Sequence, residues 1–340
     1  MIPAIFGCSG PQLTADERAF FREADPAGYI LFGRNCENPE QLRALTDELR
    51  ALHGRDHLLI SIDQEGGRVA RLRPPNWSFY PAGEAFDRLY QTAPASAIEA
   101  ARASATAMAL ELSAMGITVT YHPPLDVRQP GATDAIGDRS LGSDPMQVAA
   151  IGRAILDGLA DGGVAGCIKH MPGHGRALVD SHKEMPRVDA SAEELEQDIA
   201  PFRTLNSATI GMTAHLLFPV WDAEQPATLS ETIIRDIIRG QIGFEGLLLT
   251  DDIDMQALDG TIPERSAKAH AAGCDVILNC WAKMDDMQGI CEVLPPMSDA
   301  VSAKLRRAIE DTRIANAIAP EHSALLAKRD ALLDLAGEAA

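Results

Sequence analysis

The chain has 340 residues, of which 46% are hydrophobic and 23% are charged, and its formal net charge is −19. This composition is typical of a globular protein, and the acidic balance argues against binding to nucleic acid or to an anionic membrane, because both need a basic face. We expect a reduced, cytoplasmic protein. No stretch reaches the roughly 20 apolar residues of a membrane span, no signal peptide is evident, and the six cysteines form no C-x-x-C pair.

Short apolar runs alternate with helix-like segments along the whole chain. The predicted strands are 4–6, 28–32, 57–63, 118–121, 163–168, 209–215, 247–250 and 275–278. The predicted helices are 39–53, 95–115, 145–161, one that starts at a capping box at Ser191, 230–239, 263–271, and a helical tail over about 298–340. Continuous apolar strands are those of a parallel sheet that is covered on both faces.

The length and the alternation predict a single (β/α)8 TIM-like barrel that forms one domain over residues 1–340. The C-terminal segment from about 298 to 340 is expected to pack on this barrel as extra helix. A doubly wound sheet is the weaker alternative, because no G-x-G-x-x-G motif opens a helix after an early strand.

Polar side chains follow most of the predicted strands, at the point where each apolar run ends. They are Asp63, Asp126, Lys169, His170, His215, Asp251 and Asp252. A carboxylate after a strand can instead cap the next helix, and this alternative is open for Asp63 or Asp252 taken alone. Because the strand ends of a barrel meet at one rim, the repetition predicts a shared pocket there.

The segment 169–186 holds the densest group of such side chains. Its proline and glycine residues exclude regular structure, so the chain enters a loop beyond Lys169 and His170. The loop carries His174, Asp180 and His182. Clustered histidine, aspartate and lysine on a loop that a scaffold positions indicate a functional site.

Five short motifs occur in a fixed order along the chain. They are Ile62-Asp63-Gln64-Glu65-Gly66-Gly67-Arg68-Val69, Ile136-Gly137-Asp138-Arg139-Ser140, Lys169-His170-Met171-Pro172-Gly173-His174-Gly175 with Asp180-Ser181-His182, Met212-Thr213-Ala214-His215, and Thr250-Asp251-Asp252-Ile253-Asp254-Met255. Over nearly the whole chain they resemble the glycoside hydrolase family 3 β-N-acetylglucosaminidases of bacterial cell-wall recycling. Met171, Thr250 and Ile253-Asp254 depart from the family's usual phenylalanine, serine and leucine-serine.

The resemblance implies a retaining enzyme that removes terminal N-acetylglucosamine from muropeptides such as GlcNAc-1,6-anhydro-muramic acid, with or without peptide. It implies that Asp251 is the nucleophile and that His182, oriented by Asp180, is the general acid/base. The residues that it places around the sugar ring are Asp63, Arg139, Lys169 and His170. We expect no metal ion, no cofactor, and a monomer or weak homo-oligomer.

These assignments are chemically consistent. A carboxylate can form a covalent glycosyl-enzyme that water then hydrolyses, and a histidine titrates near neutrality without a strongly raised pKa. Asp180 could hydrogen-bond one ring nitrogen of His182 and stabilise the imidazolium. Asp252 is the rival nucleophile; neighbours at a strand end point to opposite sides, so we expect only one of Asp251 and Asp252 to face the pocket.

Four other interpretations remain open at this point. A β-N-acetylglucosaminide phosphorylase would exploit a neutral histidine, which repels phosphate less than a glutamate does. A broader β-glucosidase would lack strictness for the acetamido group. A metal-dependent hydrolase would use some of His170, His174, Asp180 and His182 as ligands, although their spacing matches no common ligand motif. A non-catalytic sugar-binding protein would bind the ligand without cleaving it.

Overall fold

The computed structural model describes residues 1–55, 58–179, 185–310 and 321–338. Within these ranges, eight parallel strands pair in sequence order, and the last pairs with the first to close a barrel. The strands are β1 (Ile2–Gly7), β2 (Pro26–Leu31), β3 (Leu59–Ile62), β4 (Val119–Thr120), β5 (Ala165–Met171), β6 (Ile210–Thr213), β7 (Leu247–Asp252) and β8 (Val276–Asn279). The predicted (β/α)8 barrel is confirmed.

Helices follow the strands in the described part of the chain. They are α1 (Ala15–Ala24), α2 (Pro39–His53), α3 (Gly83–Thr92), α4 (Pro94–Ala114), α5 (Pro145–Asp161), α6 (Ala192–Thr204), a π-helical segment (Ile233–Gln241), α7 (Ile262–Ala272), α8 (Met284–Val293), α9 (Asp299–Glu310), α10 (His322–Leu333) and α11 (Leu335–Glu338). The predicted capping box at Ser191 is present, since its hydroxyl accepts from the backbone N–H of Glu194. No helix within these ranges is both long and apolar enough to cross a membrane.

Side chains from the strands fill the inside of the barrel. The buried cluster there includes Ile5, Ile30, Tyr121, Cys167, Met212 and Leu249. Helix α9 adds Leu305, Ala308 and Ile309 to the same cluster. There they join Ala27, Ala165 and Leu247, which lie near the starts of β2, β5 and β7. The barrel is therefore packed solid and covered at its amino-terminal end, as such interiors are, which leaves the carboxyl rim for a site.

The predicted helical C-terminal segment is confirmed, and within the described residues it contains three helices, α9, α10 and α11. Helix α9 lies against the barrel, α10 packs along α4, and residues 311–320 between them lie outside the described ranges. Helix α10 is tied to the loop after β3, because the Arg329 guanidinium donates to the Phe79 carbonyl at 3.0 Å and the Tyr80 hydroxyl lies 3.2 Å from His322 Nε2.

Candidate active site

A pocket of about 300 Å³ opens at the carboxyl rim of the barrel. Its floor is formed by interior side chains of the barrel, Tyr121, Met212 and Leu278. Its polar walls contain all five of the predicted site residues that lie within the described ranges. These are Asp63, Arg139, Lys169, His170 and Asp251. The structure therefore brings together residues that lie up to 188 positions apart in the sequence (251 − 63).

Strand β5 is longer than predicted. The sequence suggested an end at residue 168, with Lys169 and His170 just beyond it, whereas the strand runs to Met171 and pairs there with Thr213 of β6. Lys169 and His170 therefore extend from strand backbone rather than from a loop. A side chain on such backbone is held more firmly than one on a connecting segment.

Glu65 is the centre of a buried ionic network in the pocket wall. The Arg139 guanidinium donates to both of its carboxylate oxygens, at 2.7 and 2.9 Å, and Lys169 Nζ lies 2.6 Å from Oε1. Burial alone would raise the pKa of Glu65, but the Arg139 and Lys169 cations outweigh it and hold that pKa well below its usual range. Sequence analysis assigned no role to Glu65, although it lies in a motif, because its partners are 74 and 104 residues away.

Asp63 is held between two cations. Its Oδ1 lies 3.3 Å from Lys169 Nζ, and its Oδ2 accepts from Arg71 Nη2 at 3.1 Å. The Arg71 guanidinium also lies over the Phe32 ring, 5.2 Å from its centroid. Arg71 and Phe32 line the pocket and were not identified from the sequence, since neither stands in a motif with a recognisable spacing. Asp63 is thereby presented as a fixed acceptor for hydroxyl groups.

His170 is oriented by the buried carboxylate of Asp126. Asp126 Oδ2 lies 2.7 Å from His170 Nδ1, and its Oδ1 accepts from the backbone N–H of His170 and of His174 at 3.2 and 2.6 Å. This contact fixes the His170 ring, whose other nitrogen is then available to the pocket. His174 does not line the pocket; burial and the nearby His170 lower the pKa of His174 to about 4, so its ring is neutral at pH 7.

Asp251 and Asp252 both line the pocket, so the expectation that only one would face it is wrong. The reason is local. The register between β7 and β8 shifts between Leu249 and Asp252, and this irregularity interrupts the alternation of a regular strand. The two neighbouring carboxyl groups therefore share one cavity.

The two carboxyl groups differ in charge. Burial alone would raise the pKa of Asp251, but His170 and His215 outweigh it and lower that pKa to about 2. Its Oδ1 also accepts from the backbone N–H of Asp252 at 2.8 Å, which favours the ionised form. Asp251 is therefore an anion at neutral pH.

Asp252 lies in the same pocket wall but its pKa shifts in the opposite direction. Burial, and then the carboxylate of Asp254, raise the pKa of Asp252 well above its usual range. Asp254 is held in place because its Oδ2 accepts from Asn279 Nδ2 at 2.8 Å and from the backbone N–H of Cys280 at 3.0 Å. A raised pKa disfavours the anionic form that a nucleophile needs, which favours Asp251 over Asp252 as the reactive carboxylate.

His215 stabilises the end of β7 through hydrogen bonds of both ring nitrogens. Its Nε2 lies 2.9 Å from the carbonyl oxygen of Asp252, and its Nδ1 lies 2.8 Å from Thr228 Oγ1. Since a carbonyl oxygen only accepts, Nε2 donates a ring proton to Asp252, while the Thr228 hydroxyl itself donates to the Ala214 carbonyl oxygen at 3.0 Å. His215 is buried and does not line the pocket, so this strand-end histidine positions β7.

Asp180 and His182 lie outside the described residues, and their predicted roles stay predictions. The preceding part of their loop is firmly anchored. Arg176 Nε donates to Asp198 Oδ2 at 2.6 Å, and a Cβ at Gly175 would lie 1.9 Å from the Val127 carbonyl oxygen. Glycine is therefore required at residue 175.

No group of three histidine, cysteine, aspartate or glutamate side chains suited to a metal ion is found in ranges 1–55, 58–179, 185–310 and 321–338. A metal site in this pocket would thus have to draw on residues outside these ranges, where Asp180, His182 and Glu184 have side chains that can bind a metal ion. A chelator therefore belongs among the controls of any activity measurement.

Comparison with known proteins agrees with this architecture. Residues 8–310 match the profile of the Glycosyl hydrolase family 3 N terminal domain. A beta-hexosaminidase from Bordetella avium is 37% identical over 307 residues, which cover 88% of this chain and 87% of the relative. One from Chromobacterium violaceum is 39% identical over 313 residues, which cover 90% and 86% of the two chains. The crystal structure of NagZ from Neisseria gonorrhoeae in complex with N-trifluoroacetyl-D-glucosamine has a TM-score of 0.86 at 32% identity, and the match covers 98% of both chains.

The similarity extends over most of this chain and most of each relative, so it describes the whole barrel and not an isolated motif. A polar pocket at the carboxyl rim of a closed (β/α)8 barrel is also where such folds carry out their chemistry. The chain therefore belongs to glycosyl hydrolase family 3 and is a glycoside hydrolase of the β-hexosaminidase, NagZ-like type.

Proposed function

We propose that this enzyme is a retaining exo-β-N-acetylglucosaminidase that acts in the cytoplasm on peptidoglycan fragments. Its substrate is GlcNAc-1,6-anhydro-muramic acid, with or without the attached peptide. The observation that carries the proposal is Asp251 at the end of β7, a carboxyl group in the pocket wall whose pKa His170 and His215 lower to about 2 against the effect of burial. A retaining glycosidase needs one such anion within reach of the anomeric carbon.

The pocket walls suit a single terminal sugar. Asp63 accepts hydrogen bonds from ring hydroxyls, while Lys169 and Arg139 donate to ring substituents from positions that Glu65 holds fixed. A cavity of about 300 Å³ is at the small end of ligand pockets and closes on the barrel interior, which supports exo-attack. The relative from Neisseria gonorrhoeae binds a 2-acylamino sugar, which supports N-acetylglucosamine here.

The reaction then has two steps. An Asp251 oxygen bonds to the anomeric carbon as the bond to the leaving oxygen breaks, and His182, oriented by Asp180, gives its proton to that oxygen. In the second step a water molecule gives a proton to His182 and attacks the anomeric carbon, and the bond to Asp251 breaks. The products are free N-acetylglucosamine and the shortened fragment.

The test compares release of nitrophenol from its β-N-acetylglucosaminide and its β-glucoside. Asp251→Asn should lower kcat on the order of a thousandfold or more, whereas Asp252→Asn should retain most activity because the raised pKa of Asp252 already disfavours its charged form. His182→Ala should lose more activity on substrates with poor leaving groups, since protonation matters most there.

Several outcomes would contradict the proposal. Equal turnover of the two glycosides would indicate a broader β-glucosidase, and sugar 1-phosphate formed in phosphate buffer would indicate a phosphorylase. Activity that is lost in Asp252→Asn and kept in Asp251→Asn would assign the nucleophile to Asp252. Inhibition by a chelator would favour a metal-dependent hydrolase. Binding of the sugar without turnover would indicate a non-catalytic sugar-binding protein.

A further inference from the structure

A second cleft of about 670 Å³ adjoins the pocket at the ends of β7 and β8. The two cavities share Asp252 and Met255 in their walls, so one continues into the other at these side chains. The remaining walls come from the segment that leads into α7 and from the loop after β8. Trp281 and Lys283 come from this loop, and Asp286 comes from the first turn of α8.

Trp281 is the exposed aromatic of this cleft. Its side chain is 62% exposed although tryptophan is usually well covered. The next residue, Ala282, has a φ of 55°, a left-handed conformation that is uncommon for a residue with a Cβ. An aromatic ring that is exposed at the edge of a pocket is typical of a binding surface, because its apolar area is stabilised only when a ligand covers it. Unusual backbone conformations such as that of Ala282 also cluster at binding sites.

The positions of the proposed sugar-binding residues determine which part of the substrate extends into this cleft. Asp63, Arg139 and Lys169 come from β3, the loop after β4, and β5, and in a closed eight-stranded barrel these lie across from β7 and β8. The anomeric carbon and carbon 4 are at opposite ends of a pyranose ring. If the hydroxyls are held on the β3–β5 side, the anomeric carbon faces Asp251, and the group bonded to it extends toward β7 and β8.

We propose that this second cleft binds the departing sugar of the substrate, with its ring packed against Trp281. The inference rests on the proposed function, because it takes the ring in the first pocket to be a terminal N-acetylglucosamine. Lys283 selects a departing sugar that carries a carboxylate. Its Nζ is 3.9 Å from Asp286 Oδ2 and its side chain is 68% exposed, so the ammonium group is accessible to a ligand.

The test uses three substrates that differ only beyond the anomeric carbon. They are β-N-acetylglucosaminyl fluoride, the disaccharide with N-acetylglucosamine as the departing sugar, and the disaccharide with N-acetylmuramic acid in that position. Trp281→Ala should lower kcat/KM for both disaccharides on the order of tenfold and leave the fluoride unchanged. Trp281→Phe should recover most of the loss, and Lys283→Ala should affect only the muramic acid substrate.

Phe79→Ala is the matched control, since Phe79 is also 62% exposed but lines neither cavity. An equal loss for Trp281→Ala on fluoride and disaccharides would overturn the inference, as would unchanged turnover of the disaccharides. A change confined to the preference for N-acetylglucosaminyl over glucosyl fluoride would assign the cleft to the acyl group instead. Failure of the wild type to hydrolyse even the fluoride would refute the proposed function, and the inference with it.

Discussion

Replacement of Glu65 by glutamine tests the ionic network that shapes the pocket. Glu65 lies 2.7 Å from Arg139 and 2.6 Å from Lys169, and the three side chains are only 4%, 11% and 3% exposed. Glutamine keeps the size and removes the charge, so two buried cations lose their shared partner. The longer contact of Lys169 with Asp63, at 3.3 Å, and the hydrogen bond from Arg139 to the Ala135 carbonyl oxygen, at 3.0 Å, then remain.

Breaking a buried ion pair from one side typically costs about 3–5 kcal/mol. Because Asp63 still faces Lys169 and the amide oxygen still accepts, we expect Glu65→Gln to lower the free energy of unfolding by about 3 kcal/mol at pH 7. Urea unfolding followed by circular dichroism measures it. Asp161→Asn is the control; it breaks the Arg102–Asp161 pair, whose side chains are 49% and 47% exposed, and should cost less than about 1 kcal/mol.

The difference in the free energy of unfolding between wild type and Glu65→Gln should depend on pH in a definite direction. The pKa of Glu65 is lowered in the folded protein by Arg139 and Lys169 against the opposing effect of burial. Its ionisation therefore stabilises the folded state fully above its unfolded pKa, near 4.5, and the effect is lost as the pH falls through the lower folded pKa. The gap between wild type and Glu65→Gln should shrink on acidification. A gap below about 1 kcal/mol at pH 7, or one that widens toward acid, would refute the ionic account.

Two further predictions concern the charges around the proposed nucleophile. Asp254→Ser removes a carboxylate that raises the pKa of Asp252, so the pKa of Asp252 should fall and its stronger negative charge should raise the pKa of Asp251; the acid limb of kcat/KM should move to higher pH. An unchanged pH–rate profile would contradict this. Asp126→Asn removes the charge that orients His170 and should lower kcat/KM on the order of tenfold or more, with little change in circular dichroism. Activity equal to that of the wild type would show that His170 needs no such partner.

The barrel was predictable because its signals are local. Helices α2 and α5 begin and end at the predicted residues, since each starts with a side-chain cap followed by proline, at Pro39 and Pro145. Helices α1, α3 and α8 were missed, and each has only ten residues. The first carried a usable signal, the capping box of Thr14 and Glu17, which is the pattern that identified the helix after Ser191.

Motifs identified Asp63, Arg139, Lys169, His170 and Asp251 as members of the pocket, but not Phe32 and Arg71, and not the pKa differences within the pocket. Asp251 and Asp252 have the same ordinary pKa and adjacent positions. What separates them is the shift of register toward β8 and the contacts of Asp254 with Asn279 and Cys280. These partners come from distant parts of the chain. The network of Glu65 is invisible in the sequence for the same reason.

The solid interior beneath the pocket also constrains the order of events in turnover. Tyr121 and Met212 close the floor, and α9 covers the far end of the barrel, so neither substrate nor water passes through the barrel interior. In the proposed reaction the shortened fragment leaves first, because water attacks the glycosyl-enzyme from the side that this fragment vacates. On this proposal N-acetylglucosamine departs last. Free N-acetylglucosamine should accordingly compete with substrate for the empty enzyme.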